Sequence, residues 1–365
     1  MRFADRYTPI ERALHYLAFS VPFVQKALGE LENDLFARER ERPALGREVF
    51  ITGLPRAGTT LLLELLYRTG EFSSFTYRHM PFVLAPLIFG RASRANARGK
   101  EIERAHGDGM QVSLDSPEAF EEVLWLTYLR ERIVTERTLE PLKVGMVSAQ
   151  FEDAFRATIQ KLLAESESDG GTRYLSKNNA NISRLGVLSQ LFPDCTIMVA
   201  FREPSAHIAS LMRQHQRFST AHSTDPFARR YMAWIGHFEF GLNFRPINFS
   251  GWLDGGEIEP NPTADFWLRY WTVAYRHALD HCTSNVVFVD FDRLLAEHTS
   301  YLGAIGRALE MRRPESLVEQ ARRLRAPTTI DRPNARSDDT LQAARAVHAE
   351  LRAAAITTLP SRANA

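Results

Sequence analysis

The chain has 365 residues, of which 44% are hydrophobic and 24% are charged. This composition excludes a disordered, collagen-like or coiled-coil protein, and the length fits one large domain or two smaller ones. The 45 basic and 44 acidic residues leave a formal net charge of +1. That balance argues against a general nucleic-acid or membrane-surface binder, but it allows a few local cations to bind a small anion.

Cysteines and apolar runs indicate the compartment. The two cysteines, Cys195 and Cys282, are too few for a disulfide framework and fit a reducing compartment. The first residues are interrupted by charges and lack a signal-peptide core. The longest nearly apolar run, residues 80–89, is too short to span a bilayer. We therefore expect a cytoplasmic protein with no stable membrane insertion and no nucleic-acid partner, and the oligomeric state stays open.

The N-terminal region predicts helices. Ile10, Leu14, Leu17 and Ala18 recur at helical spacing, and Pro43 ends the pattern. Residues 1–46 are therefore interpreted as an N-terminal helical segment.

Strands and helices then alternate. Residues 48–53 (EVFITG) are a β-favouring run followed by a Gly/Pro loop and a helical pattern. Residues 195–201 (CTIMVAF) are continuously apolar, as in a strand buried on both faces, and Pro204 begins a helix after them. Residues 174–177 and 285–291 predict two more strands. This alternation predicts an α/β fold with a central parallel β-sheet flanked by helices.

Three further segments complete the predicted organisation. Residues 90–115 and 218–262 are rich in loop-forming residues, and we expect them to be acceptor-side insertions in a domain spanning residues 47–325. Residues 326–365 are expected to form a C-terminal tail with a last helix.

A glycine loop follows the first strand. Residues 53–60 (GLPRAGTT) have the spacing of the nucleotide phosphate loop G-x-x-x-x-G-K-[ST]. Gly53 and Gly58 permit backbone angles that other residues resist, and amides at the start of a helix form an anion site. The sequence therefore predicts a P-loop NTPase-like fold with an anion at this loop.

The loop departs from the nucleotide-hydrolysing pattern at one position. Thr59 occupies the place of the lysine that an ATPase or GTPase uses on its phosphates. Asp290 and Asp292, at the end of a later strand, are candidate metal ligands for such an enzyme. An ATP-dependent phosphotransferase therefore stays an alternative, as does a non-catalytic nucleotide-binding protein.

Residues 55–60 (PRAGTT) resemble the P-R-[SA]-G-T-T loop that binds the 5′-phosphosulfate in sulfotransferases, in the form seen in tyrosylprotein sulfotransferases and many bacterial relatives. The family's second signature is a strand ending in Arg with Ser eight residues later, and Arg202 and Ser210 match it. The resemblance implies 3′-phosphoadenosine 5′-phosphosulfate (PAPS) as donor and no metal. The donor-binding residues that it implies are Arg56, Ala57, Gly58, Thr59, Thr60, Arg202 and Ser210.

A third point of resemblance is incomplete. Lys177 lies where relatives often have K-x-P before a helix, but Asn179 replaces the proline. The role of Lys177 is therefore left open.

Sulfuryl transfer requires positioning and a base. It resembles phosphoryl transfer, in which an in-line displacement is promoted by orientation and electrostatics. Arg56 is expected to act catalytically, because its guanidinium can grip the transferring group with two hydrogen bonds. His79 is the first candidate for the general base, and Glu121 and Glu122 are its rivals. His106, His215 and His237 are held in reserve.

Aromatic residues suggest the acceptor class. Residues 237–243 and Trp252 combine aromatic faces with polar neighbours, which suits sugar rings. Trp267, Trp271 and Tyr275 instead recur at helical spacing, which favours packing. The R-K-G-x-x-G-D-W-K motif of aryl and steroid sulfotransferases is missing from the sequence. We therefore expect sulfuryl transfer to the hydroxyl of a small molecule, with a saccharide as one candidate.

Overall fold

A computed structural model describes residues 3–40, 44–95, 102–103, 111–166, 170–256, 258–324 and 338–357. In chain order the strands are β1 (Val49–Thr52), β2 (Phe72–Ser73), β3 (Ile102–Glu103), β4 (Gln111–Val112), β5 (Arg173–Lys177), β6 (Thr196–Phe201) and β7 (Val286–Asp290). The helices are α1 (Pro9–Ser20), α2 (Pro22–Leu35), α3 (Ala37–Arg40), α4 (Thr59–Tyr67), α5 (Pro86–Ala95), α6 (Glu121–Ile133), α7 (Ala149–Ser166), α8 (Leu185–Leu191), α9 (Pro204–Thr224), α10 (Pro226–Trp234), α11 (Ala264–Asp280), α12 (Phe291–Ala296), α13 (His298–Ala308), α14 (Pro314–Val318) and α15 (Asp338–Ala354).

The central sheet has five parallel strands in the order β2-β5-β1-β6-β7. Strand β1 lies in the middle, and its Ile51 is level with Lys177 of β5 and Met198 of β6. Helices cover both faces, so the predicted α/β fold is confirmed. Strands β3 and β4 form a separate antiparallel pair.

The sheet is buried on both sides, which is why its strands are continuously apolar. Phe50 of β1 packs on one face with Phe155 and Tyr174. The neighbouring residue Ile51 belongs to the cluster on the opposite face, together with Leu62 of α4. Because the five strands are parallel, their carboxyl ends lie at one edge of the sheet, where open α/β sheets bind ligands.

The first part of the predicted insertion at 218–262 is helical, although its composition favours loops. Helix α9 continues to Thr224 and α10 spans Pro226–Trp234. Asp225 makes the join: its side chain accepts a hydrogen bond from the amide of Ala228, and Pro226 occupies the first helical position. In the other insertion α5 extends to Ala95, and residues 96–101 and 104–110 lie outside the described residues.

The helix that carries the aromatic repeat behaves as its spacing predicts. Trp267, Trp271 and Tyr275 of α11 are 1% exposed or less, which confirms that they pack in the core. Trp252 is only half-buried. Among the described helices, none combines the length and apolar character needed to cross a membrane.

Candidate active site

The phosphate loop between β1 and α4 is packed so closely that two positions require glycine. Gly53 has φ 133°, and a Cβ there would lie 2.3 Å from the carbonyl oxygen of Ala200. Gly58 has φ 88°, and its Cβ would overlap the ring of Phe291 at 2.1 Å. Any side chain at either position would force the loop away from the sheet edge.

His207 of α9 fastens the loop from behind. Its Nε2 donates to the carbonyl of Pro55 at 2.8 Å, and its Nδ1 accepts from the indole N–H of Trp271 at 3.1 Å. The side chain is fully buried. Burial lowers the pKa of His207 to about 3, so the ring is neutral at pH 7, as these two hydrogen bonds require.

This buried histidine predicts a pH dependence of stability. The unfolded chain takes up a proton at His207 below pH about 6.5, whereas the folded protein does so only near pH 3. Stability is therefore complete above the unfolded pKa and is lost as the pH falls, by about 1.4 kcal/mol per pH unit. In urea unfolding between pH 6.5 and 5, His207→Gln should reduce the slope of unfolding free energy against pH by that amount. The exposed control His298→Gln should keep the wild-type slope, and an unchanged slope in His207→Gln would contradict the assignment.

The two predicted anion motifs meet at this loop. Arg56 Nε donates to Ser210 Oγ at 3.3 Å, although the residues are 154 positions apart. Arg202 follows β6, and its guanidinium lies over the ring of Phe291 at 5.7 Å and 3.5 Å from Asp292. Because Phe291 also contacts Gly58, the phosphate loop and Arg202 share one supporting side chain.

A pocket opens in front of the loop at the carboxyl ends of β1 and β5. It brings two cationic residues, Arg56 and Lys177, into the same space as one carboxylate, Glu239. Phe218 and Phe240 form its apolar wall. The remaining lining residues are Pro55, Thr59, Thr60, Asn179, Gln214 and His237.

A chain of hydrogen bonds crosses this pocket. Thr59 Oγ1 donates to Asn179 Oδ1 at 3.1 Å, and Asn179 Nδ2 donates to Glu239 Oε1 at 3.1 Å. Thr59, at the end of the phosphate loop, is thus linked through Asn179 to Glu239, the one carboxylate among the described pocket residues.

Comparison with known proteins identifies the family. A family model described as "Sulfotransferase family" matches residues 48–245, just over half of the chain. The chain belongs to the sulfotransferase family. The matched region begins before β1 and includes the phosphate loop, Lys177, Arg202, Ser210 and Glu239.

Solved structures were compared with the chain, and one of them supports the fold. This sulfotransferase is similar to the sulfotransferase STF9 from Mycobacterium avium, with a TM-score of 0.51 and 14% identity over 95% of this chain and 86% of that chain. The sulfotransferase STF1 from Mycobacterium tuberculosis matches with a TM-score of 0.47 and 15% identity over 90% and 83% of the two chains. At such identities the likeness concerns the fold alone. A comparison with curated protein sequences gave no match.

His79, predicted as the base, is not among the residues that line this pocket of the sulfotransferase. The ring is 1% exposed and lies in a short 3-10 helix, Tyr77–His79. Its Nδ1 accepts from the amide of Thr76 at 2.9 Å, and its Nε2 lies 2.8 Å from Glu165 Oε2. Both ring nitrogens are therefore engaged within this part of the fold.

The rival carboxylates, Glu121 and Glu122, are likewise not among the residues that line the pocket. Glu122 forms a two-point ion pair with Arg184, at 2.6 and 2.8 Å. Glu121 accepts from the hydroxyl of Tyr174 and from Asn181 Nδ2. Both are buried, and they fasten the segment after β5 onto α6.

The acidic pair at the end of β7 serves neighbouring backbone and arginines. Asp290 caps α12 through the amide of Arg293 and pairs with Arg352 at 3.3 Å. Asp292 accepts from the amide of Glu203 at 2.6 Å and pairs with Arg202. Both carboxylates are thus engaged with neighbouring groups of the chain.

Sequence reasoning missed three residues of the site. Glu239 lies in a segment that was predicted to line the acceptor pocket, but it was not considered as a base. Asn179 was noticed only as a departure from the family pattern. His207, in the helix after Arg202, gave no signal, because its partners Pro55 and Trp271 are remote in sequence.

Proposed function

We propose that this protein transfers the sulfuryl group of PAPS to an acceptor hydroxyl. The observation that carries the proposal is the hydrogen bond between Arg56 and Ser210, which joins two separate anion-binding motifs at the edge of the sheet. PAPS carries two anionic groups on one nucleoside, and the two motifs offer a matched pair of cationic sites.

The donor is proposed to lie across both motifs. The amides at the start of α4, the hydroxyl of Thr60 and the guanidinium of Arg56 would hold the 5′-phosphosulfate. Arg202 and Ser210 would hold the 3′-phosphate. Ser210 Oγ already accepts from Arg56, so its own hydrogen remains available for a phosphate oxygen. The contact with Asp292 holds Arg202 in place for the same task.

Glu239 is proposed as the general base. It lines the pocket that contains Arg56, and its side chain is anchored to the loop through Asn179. The carboxylate takes the proton of the acceptor hydroxyl as the acceptor oxygen bonds to sulfur. The bond between sulfur and the 5′-phosphate oxygen breaks, and its electron pair leaves with adenosine 3′,5′-bisphosphate. His237 lines the same pocket and is the alternative base.

Lys177 is proposed to balance the charge of the transfer. It is 4% exposed, and it ends β5 beside the loop, within the lining of the pocket. A fixed ammonium in a site of low dielectric stabilises the developing negative charge without reorganisation of solvent.

The acceptor is proposed to approach along Phe218 and Phe240. Both side chains line the pocket that also holds Arg56 and Lys177. A ring with one apolar face and several hydroxyls fits such a wall, so we propose a saccharide or a similar polyhydroxyl small molecule.

Calorimetry tests the donor. The protein should bind adenosine 3′,5′-bisphosphate more tightly than AMP or ATP, and without Mg²⁺. Arg202→Ala should weaken the bisphosphate by about 1.5–3 kcal/mol, the magnitude of a hydrogen bond to a charged group, while adenosine 5′-phosphosulfate, which lacks the 3′-phosphate, binds as before.

The same titrations can overturn the proposal. Mg²⁺-dependent binding of ATP with no response to the bisphosphate would replace it by phosphotransfer. Tight binding of the bisphosphate with no transfer from labelled PAPS to any acceptor in a saccharide and alcohol screen would favour a non-catalytic nucleotide-binding protein.

A further inference from the structure

The side chain of Asn179 makes two hydrogen bonds in the pocket, one through each end of its amide. The carboxamide is 7% exposed and lies between the phosphate loop and the proposed base. Its oxygen faces Thr59 and its nitrogen faces Glu239, each at 3.1 Å.

The chemistry of the two neighbours fixes the direction of this amide. A carboxylate oxygen of Glu239 accepts from Asn179, so the amide presents its N–H₂ to Glu239. The amide oxygen must then face Thr59, and the hydroxyl of Thr59 must donate to it. The hydroxyl hydrogen of Thr59 is therefore used in the bond to Asn179. Thr60 is then the threonine of the loop whose hydroxyl can donate to a ligand.

The backbone of Asn179 is held on several sides. Its carbonyl accepts from Thr52 Oγ1 at 3.2 Å. The preceding residue, Asn178, donates its amide to Ile51 at 2.9 Å, and its side chain caps the 3-10 helix Asn179–Ser183 through Ala180. Because its backbone is fixed, the side-chain amide of Asn179 holds Glu239 at a set position relative to the phosphate loop.

We propose that Asn179 is a positioning residue that aligns the base Glu239 with the phosphate loop through Thr59. The inference rests on the proposed function, because it needs Glu239 as the base. Donor binding fixes the loop, and the two hydrogen bonds place the carboxylate at a set distance from the bound sulfuryl group. The acceptor hydroxyl is therefore deprotonated only at the position from which its oxygen can bond to the sulfur.

The experiment compares four variants in transfer assays with PAPS over a range of pH. Asn179→Ala should lower kcat by about 10–100-fold, the effect of misplacing a reacting group by about 1 Å, with the bisphosphate Kd nearly unchanged. Asn179→Asp should raise the pH of the acid limb of kcat by about one unit or more, because a second carboxylate would adjoin Glu239. Thr59→Val should lower kcat, and Thr59→Ser should restore it.

A structural role would reduce the folded fraction without moving the pH limb. Asn285→Asp is the matched control, since its amide is hydrogen-bonded to Cys195 at the opposite end of the sheet, and it should keep the wild-type pH profile. Should Asn179→Asp fail to fold, the Thr59 pair decides, because Thr59→Val with wild-type kcat overturns the inference.

Two failures are distinguishable. An active wild type in which Asn179→Ala has normal turnover and Asn179→Asp keeps the wild-type pH limb overturns the positioning role alone. A wild type that neither binds the bisphosphate nor transfers from PAPS overturns the proposed function, and the inference with it.

Discussion

Replacing Glu239 by glutamine is expected to lower kcat by about 10²–10⁴-fold, the usual contribution of general base catalysis. Glutamine keeps an oxygen that can accept from Asn179 Nδ2 and loses only the ability to take a proton. The affinity for adenosine 3′,5′-bisphosphate should therefore change by less than about threefold, or roughly 0.7 kcal/mol. Single-turnover transfer from labelled PAPS measures the chemical step, and calorimetry measures the affinity.

Two further variants locate the base. His79→Gln should retain turnover per folded molecule, because the ring lies outside the pocket and hydrogen-bonds to Glu165. His237→Gln should have a smaller effect than Glu239→Gln. If His237→Gln instead carried the whole loss, the base would be His237.

Replacing Arg56 by lysine is expected to lower kcat by about 10²-fold or more, as when one preorganised donor to a transition state is removed. Lysine preserves the charge but loses the planar fork and the Nε–H that Arg56 directs to Ser210. Pre-steady-state transfer, compared with the bisphosphate Kd, separates the loss of catalysis from the loss of binding.

The matched control is the same substitution at Arg276. That residue pairs with Glu350, and both side chains are at least 40% exposed, so Arg276→Lys should behave as wild type. A near-normal kcat for Arg56→Lys would make Arg56 a structural residue of the loop.

The fold was predictable because its signals are local. Each predicted strand is a short apolar run next to a helix signal. The phosphate loop is one continuous motif, in which Gly53 and Gly58 have a fixed spacing. The edge strand β2 was not predicted, since its two residues are too few to show a pattern. The composition of residues 218–262 favours loops, although a single residue, Asp225, separates two helices there.

The surroundings of the candidate bases could not be predicted, because they are set by distant residues. The sequence places His79 shortly after the phosphate-loop helix, but the hydrogen bond from Thr76 and the contact with Glu165, 86 positions away, hold the ring outside the pocket. Glu122 is likewise fixed by Arg184, 62 positions away. Single-sequence patterns reveal such residues, but they do not reveal the partners that decide their chemistry.

Arg56 has a backbone conformation that is unfavourable for a residue with a side chain. Its φ of 72° lies in the left-handed region, which costs a residue with a Cβ about 1–2 kcal/mol. Glycine would adopt this angle without strain, as the nearby Gly58 does at φ 88°, but it would remove the guanidinium. If Arg56 acts as proposed, the protein is less stable than it would be with glycine here, because the guanidinium is needed for function. Directed evolution that selects for thermostability alone would therefore favour glycine at this position and yield inactive variants.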